Sequence, residues 1–420
     1  MAKTLGGIAT YRQVSSTSAS SIPSSQAGWL LGGVLILALG LLPVYIFPSG
    51  GIQVVDGPLV VLILAHFLRR SNAPTALRQQ ITILLPFLFW AAAVNLVYFF
   101  QDVTNPALTI NTGYLLFTFL LFLSFSYLFW DILEADRLGW LYAGFFLSLI
   151  GIVTVKGYSE EGIRSVLSFN NPNQMGYFAL VLACLAALLL QVKEQAGTGR
   201  AIYFWADVVL LFAAHFLALL SLSRGALLGL LLVDIWIFPR LTRRILIFLV
   251  PTALLTLVVL IWQPSVIEQR LAGRPGRELN KEEIQYEVKS RIFHQFSVME
   301  GIHYLVGRGA RGFTPKEKAR GIGEVHNIFG EIFRSYGLIG MGLFSFWLGR
   351  FIWQSRQLPG GLFIWGALLV YNLTHYGLRF RSLWILLALI NAMLVLTGMA
   401  EKVKGPNGRQ RPPGLAVSRR

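Results

Sequence analysis

Residues 263–327 crowd arginine, histidine and glutamate into the one long polar stretch of a chain otherwise built from apolar runs. Arginine presents a permanently charged, planar fork of donors that matches phosphate oxygens, and histidine exchanges protons near neutrality. The stretch holds Arg291, His294, His303 and His326, so both kinds of chemistry are within its reach. Outside it, Arg224, Arg379 and Arg381 stand at the ends of apolar runs with almost no loop around them. An arginine in such a place is expensive unless it has a partner or a ligand. With His375, Arg379 and Arg381 form a basic cluster able to hold phosphate or an anionic lipid.

These residues need elements to position them, and composition says which. Hydrophobic residues make up 55% of the chain and charged ones 13%, with mean hydropathy +0.61. The apolar runs reach the ~20 residues needed to cross a bilayer, which predicts an all-α polytopic membrane protein rather than a soluble globule. Spans are expected near 29–47, 53–68, 81–100, 108–130, 138–156, 173–192, 201–222, 225–238, 245–262, 328–349, 361–378 and 382–399, twelve in all. They divide the chain into a cytoplasmic segment 1–27, helices one to nine over 28–262, a periplasmic loop 263–327, helices ten to twelve over 328–400, and a basic cytoplasmic tail 401–420. The serine-rich opening has no early apolar core and the first span no small-residue cleavage site, so an uncleaved first helix is expected. With both termini inside, the inner segments carry 19 Lys and Arg against 5 in the short outer ones, the asymmetry of the positive-inside rule. The formal charge of +16 is thus a topology signal, and membrane lipids rather than nucleic acid are the expected surroundings. Cys184 lies within an apolar run and packs as a small hydrophobe.

Within the loop, Ile284, Val288, Ile292, Phe296, Met299 and His303 recur every three or four positions. This predicts an amphipathic helix from Glu278 to about Val306, flanked by Arg291, on the membrane surface or capping the bundle. Gly307, Gly309 and Gly312 match a G-x-G-x-x-G string, but a helix precedes them, so a hinge or turn is expected in place of a dinucleotide site. His66 and His215 are expected to pack or to bond backbone, and Asp56 and Asp234 read as lone carboxylates. No cluster of Asp, Glu, His or Cys has metal-ligand spacing, so neither a metal nor another cofactor is expected.

Three segments go further when taken together. SFNNPNQMG places Asn170, Asn171, Pro172 and Asn173 at the outer entrance of the sixth span, and SLSRGALLG places Arg224 at the outer turn between the seventh and eighth. EVHNIFGEIFRSYGLIG places His326 and Asn327 at the outer start of the tenth. In this order, with Arg291 and the Gly307-Arg308-Gly309 turn before the histidine, the set resembles the O-antigen ligase and polymerase superfamily of bacterial envelope glycan assembly, over about Asn170 to Gly340.

The resemblance implies a metal-independent glycosyltransferase of the GT-C-like helical type, in the bacterial inner membrane with its site facing the periplasm. The implied donor is a glycan on undecaprenyl diphosphate, and the implied acceptor is a lipid A-core or another lipid-linked glycan. Carried over by position, Arg224 and Arg291 bind the diphosphate and His326 acts on the acceptor hydroxyl. Two guanidinium groups can stabilise the diphosphate as negative charge grows on it, and a histidine base contributes ~10²–10⁴-fold. Asn171, Asn173 and Asn327, and separately Arg379 and Arg381, are further candidate substrate or anion contacts. Each principal residue has a plainer alternative: Arg224 reaching the outer headgroups, Arg291 paired with Glu287, His326 capping the tenth helix. A relatively compact loop favours a ligase over a polymerase, since it leaves a flank open for a large acceptor. A transporter or flippase is the reading from a different class, opposed by the gathering of polar residues at the outer face.

Overall fold

A helix that is apolar all round must be covered on every side, by other helices or by lipid. The computed structural model describes residues 26–47, 52–69, 74–101, 106–155, 167–196, 201–221, 223–237, 299–310, 327–373 and 375–404, and within them the chain is helical with no strand. In order these helices are α1 (Gln26–Leu41), α2 (Asp56–Leu68), α3 (Ala76–Gln101), α4 (Pro106–Glu134), α5 (Leu138–Thr154) and α6 (Pro172–Ala196). There follow α7 (Ala201–Ser221), α8 (Arg224–Ile237), the single turn α9 (His303–Val306), α10 (Ile328–Ser355), α11 (Gly361–Asn372) and α12 (Arg381–Lys404), with a 3-10 turn at Gly377–Arg379.

Five of these, α3, α4, α6, α7 and α12, are long and apolar enough to cross a membrane. Burial sorts them. The apolar window of α6 is 94% buried and that of α3 only 33%, so α6 is a central helix and α3 a peripheral one. Peripheral Phe89 and Phe100 keep 71% and 72% of their surface exposed, a perimeter suited to lipid and hostile to water. Length and perimeter together define a helical bundle of the membrane type. Helices α1 and α5 close on each other through glycines: a Cβ at Gly144 would lie 2.6 Å from Leu39, and one at Gly40 2.5 Å from Leu147.

A helix occupies every expected span except 245–262, which lies outside the described residues together with most of the loop. Helix α11 stops at Asn372, short of the expected 378, because the Asn372 side chain turns the chain: its amide donates to Leu368 O (2.7 Å) and its oxygen accepts from Gly377 N (3.0 Å). The amphipathic helix expected to reach Val306 is not continuous there. Residues 299–302 are not helical, with Gly301 at φ +54, and only the single turn of α9 follows; residues 278–298 lie outside the described residues.

The two carboxylates read as lone are both partnered. Asp234 on α8 lies 3.0 Å from Nε2 of His215 on α7, and Asp56 at the start of α2 binds Arg381 at the start of α12 through both oxygens. Carboxylates in a bundle of this kind are tolerated where a polar or charged partner meets them; for Asp234 it comes from the preceding helix, for Asp56 from an element remote in sequence.

Candidate functional site

Alternation of direction brings the first turns of α2, α4, α6, α8, α10 and α12 to one end of the bundle, where helix dipoles present their positive ends. The sequence-derived residues within the described part of the chain gather at this end. Tyr371 donates to Asn173 O (2.7 Å), linking α11 to the start of α6. A Cβ at Gly176 would touch Ser223, the residue before Arg224. Tyr114 on α4 donates to the carbonyl of Arg379, and Arg381 lies 5.8 Å over the Tyr114 ring. Arg291 and His326 lie outside the described residues.

The individual residues divide by what already occupies them. Arg224 is the first residue of α8 and its side chain is exposed. Asn171 precedes α6 and its Oδ1 accepts from Gln174 N (2.9 Å), while Asn327 caps α10 by accepting from Gly330 N, so both spend their acceptor oxygen on a helix start. Arg381 is 7% exposed and held by Asp56, whose Oδ2 also accepts from Gln53 N (2.7 Å). Arg379, half-buried, lies 5.4 Å over the Phe380 ring, and His375 stacks on Tyr371 at 4.5 Å.

The Arg381–Asp56 pair yields a test. Removing one partner strands a buried charge, so Asp56→Ala is expected to lower stability by about 2–3 kcal/mol, read as a fall in melting temperature of the detergent-purified protein. A fall for Arg381→Ala in substrate binding at unchanged melting temperature would instead make Arg381 a ligand contact.

The most elaborate construction here is a broken helix. Gly337 within α10 has φ +67 and ψ −169, so the helix is interrupted, and the segment Gly307-Arg308-Gly309 fills the gap. Arg308 N donates to Arg334 O (3.0 Å) and Gly309 N to Ser335 O (2.9 Å), satisfying carbonyls that the break removes from the helical ladder. Backbone meets backbone so closely that a Cβ at Gly307 would lie 2.3 Å from Ser335 O, and one at Gly337 2.2 Å from Leu305 O. Gly307 and Gly309 therefore form a docking strip for α10, more specific than the hinge or turn expected, while Gly312 lies outside the described residues.

Helix α3 stitches this arrangement from the side. Trp90 donates to Tyr336 O (2.8 Å), Asn95 accepts from Ala310 N (2.9 Å), and Tyr98 donates to Gly307 O (2.9 Å). Nδ1 of His303 lies 2.7 Å from the Tyr98 hydroxyl, whose proton is committed to Gly307, and 3.2 Å from Gly307 O. A carbonyl oxygen only accepts, so Nδ1 is the donor in the contact to Gly307 O. The break also places Arg334, 1% exposed, and Arg308 beside each other at this end. Arg308 and Arg334 thus meet through their backbones at this end, and Arg381 meets Asp56 there.

Sequence reading named Arg308 only as part of a turn and did not single out Arg334, Tyr98, Asn95 or Tyr114. The signal available was Arg334 itself, a charge within an apolar run; the rest are ordinary polar residues of apolar helices. Comparison of the chain with protein-family models and with curated proteins finds no match.

Proposed function

We propose that the chain is a twelve-span glycosyltransferase that transfers a glycan from undecaprenyl diphosphate to a sugar hydroxyl at the periplasmic face, without a metal. The reaction favoured is that of an O-antigen ligase with lipid A-core as acceptor; the alternative is a polymerase joining lipid-linked repeats. The observation that carries this reading is the collection of Arg224, Arg308, Arg334 and Arg379 at the same end of the bundle as Asn327, the residue that directly follows His326. Arginine forks and helix starts facing one way suit a diphosphate whose lipid tail lies against the apolar perimeter. In this reading Arg224 and Arg291 hold the diphosphate, and His326 takes the acceptor proton.

Interrupted helices also occur in transporters, which makes a flippase the second reading. The break at Gly337 argues against it in one respect: the carbonyls of Arg334 and Ser335 are already bonded to the Gly307–Gly309 strip. The glycan profile of a deletion strain separates the readings. Long lipid-linked chains accumulating without surface polymer support a ligase, single capped repeats support a polymerase, and glycan still facing the cytoplasm means a flippase.

Orientation is tested separately. Cysteine introduced at Gly273 or Gly321 is expected to react with a membrane-impermeant thiol reagent in intact cells whose outer barrier has been opened. Labelling only after lysis reverses the topology and removes the donor geometry.

A further inference from the structure

At the end of the bundle opposite the candidate site, α1, α2 and α4 border a small, partly open cleft. Helices α2 and α4 run in the same direction here, so the lining falls into levels. Arg69 and Asp131, 3.2 Å apart, form the rim. His66 and Tyr127 lie below them with ring centroids 4.7 Å apart, and Leu62 and Ser124 line the floor. Arg78, on the first turn of α3, joins the rim by donating from Nε to the Tyr127 hydroxyl (2.8 Å). Leu31 and Leu128 supply apolar walls.

Among the described residues, Arg69 pairs with Asp131 at the cleft, with Glu134 one turn beyond Asp131, and Arg78 adds a second cation at the rim. The floor holds a second, independent feature. Ser124 is 2% exposed, and its hydroxyl oxygen is buried with no hydrogen-bond partner. A buried hydroxyl left without a bond costs about 1–3 kcal/mol, so an acceptor arriving there gains directly. Ser124 precedes Asp131 by seven residues, which at the helical rise sets it about 10 Å below the rim.

We propose that this cleft binds one anionic glycerophospholipid, with its phosphate at Arg69 and Arg78 and an ester carbonyl accepting from Ser124. Free phosphate satisfies the rim but leaves the floor untouched. A glycerophospholipid reaches both, because its ester carbonyls lie deeper than its phosphate and its acyl chains continue against Leu31, Leu62 and Leu128. The neighbourhood is that of a membrane interface: Trp29 and Trp140 pack at 6.2 Å, and Arg137 lies 5.1 Å over the Trp140 ring.

The test uses the full chain in nanodiscs of phosphatidylcholine, titrated with phosphatidylglycerol in ester-linked and ether-linked forms, with bound lipid counted by native mass spectrometry. Phosphatidylglycerol is expected to be retained about tenfold over phosphatidylcholine, and Arg78→Ala to reduce that preference about fivefold, the effect of one cation near a charged lipid. Ser124→Ala is expected to weaken the ester-linked lipid about fivefold and to leave the ether-linked one unchanged, since only the ester offers a carbonyl. Arg78 is used because its side chain is solvated, so its loss spares the fold; Arg69→Ala also frees Asp131. Equal retention of both headgroups overturns the proposal, as does an equal effect of Ser124→Ala on ester and ether lipids. Displacement of the bound lipid by millimolar inorganic phosphate alone makes the cleft a free-phosphate site and overturns the assignment to a lipid.

Discussion

Gly337→Ala is expected to destroy the fold at the candidate site and to cost about 4 kcal/mol or more. The positive φ contributes ~1–3 kcal/mol of strain for any residue with a Cβ, and the new methyl would lie 2.2 Å from Leu305 O, a backbone atom that the neighbouring hydrogen bonds hold in place. The same helix supplies a control. Gly342 has nothing within 4 Å of a built Cβ, so Gly342→Ala is expected to be neutral or to stabilise by up to about 1 kcal/mol through helix propensity. Size-exclusion profiles and melting temperatures in detergent report both variants. Equal behaviour of the two would show that the Gly307–Gly309 strip does not dock against the broken helix in solution.

The second large effect concerns catalysis. On the function proposed above, His326→Ala is expected to lower turnover of purified lipid-linked donor by ~10²–10⁴-fold, the range for a positioned base, while donor binding persists because the arginines would hold the diphosphate independently. Arg224→Lys keeps the charge and loses the planar fork, so transfer is expected to fall well below wild type with donor affinity reduced. EDTA is expected to leave the wild-type rate unchanged. Normal turnover in His326→Ala, or metal-reversible inhibition by EDTA, removes the mechanism. Full activity in both Arg224→Lys and Arg224→Ala returns Arg224 to the role of a headgroup contact.

Apolar periodicity located a helix at each expected span that the structure describes, since a run without polar residues has few alternatives to a covered helix. It was weaker at helix ends. Asn372 cut α11 short through side-chain bonds that no hydropathy window registers, and residues 299–302, with Gly301 at positive φ, are not helical although the apolar stripe runs through them. Residue type also marked Arg224, Arg379 and Arg381 as out of place, but type alone did not separate an arginine with a buried partner from one that is exposed. Arg381 found Asp56 from 325 residues away, whereas Arg224 stands exposed at the start of α8.

By itself, then, the sequence determined the class of molecule, an all-helical chain with helices fit for a membrane, and the grouping of its chemistry-bearing residues at loop and helix junctions. Those properties depend on local composition and on the period of one helix. Only the tertiary structure decided which polar groups are spent on the fold and how the α10 break is closed. Asn171 and Asn327 became caps, Asp56 and Arg381 a buried pair, and the glycine string a strip joining Arg308 and Gly309 to the carbonyls of Arg334 and Ser335. The physical reason is the same in each case: with little water inside the bundle, every backbone or charged group must find a protein partner, and the partner's identity depends on which helices become neighbours.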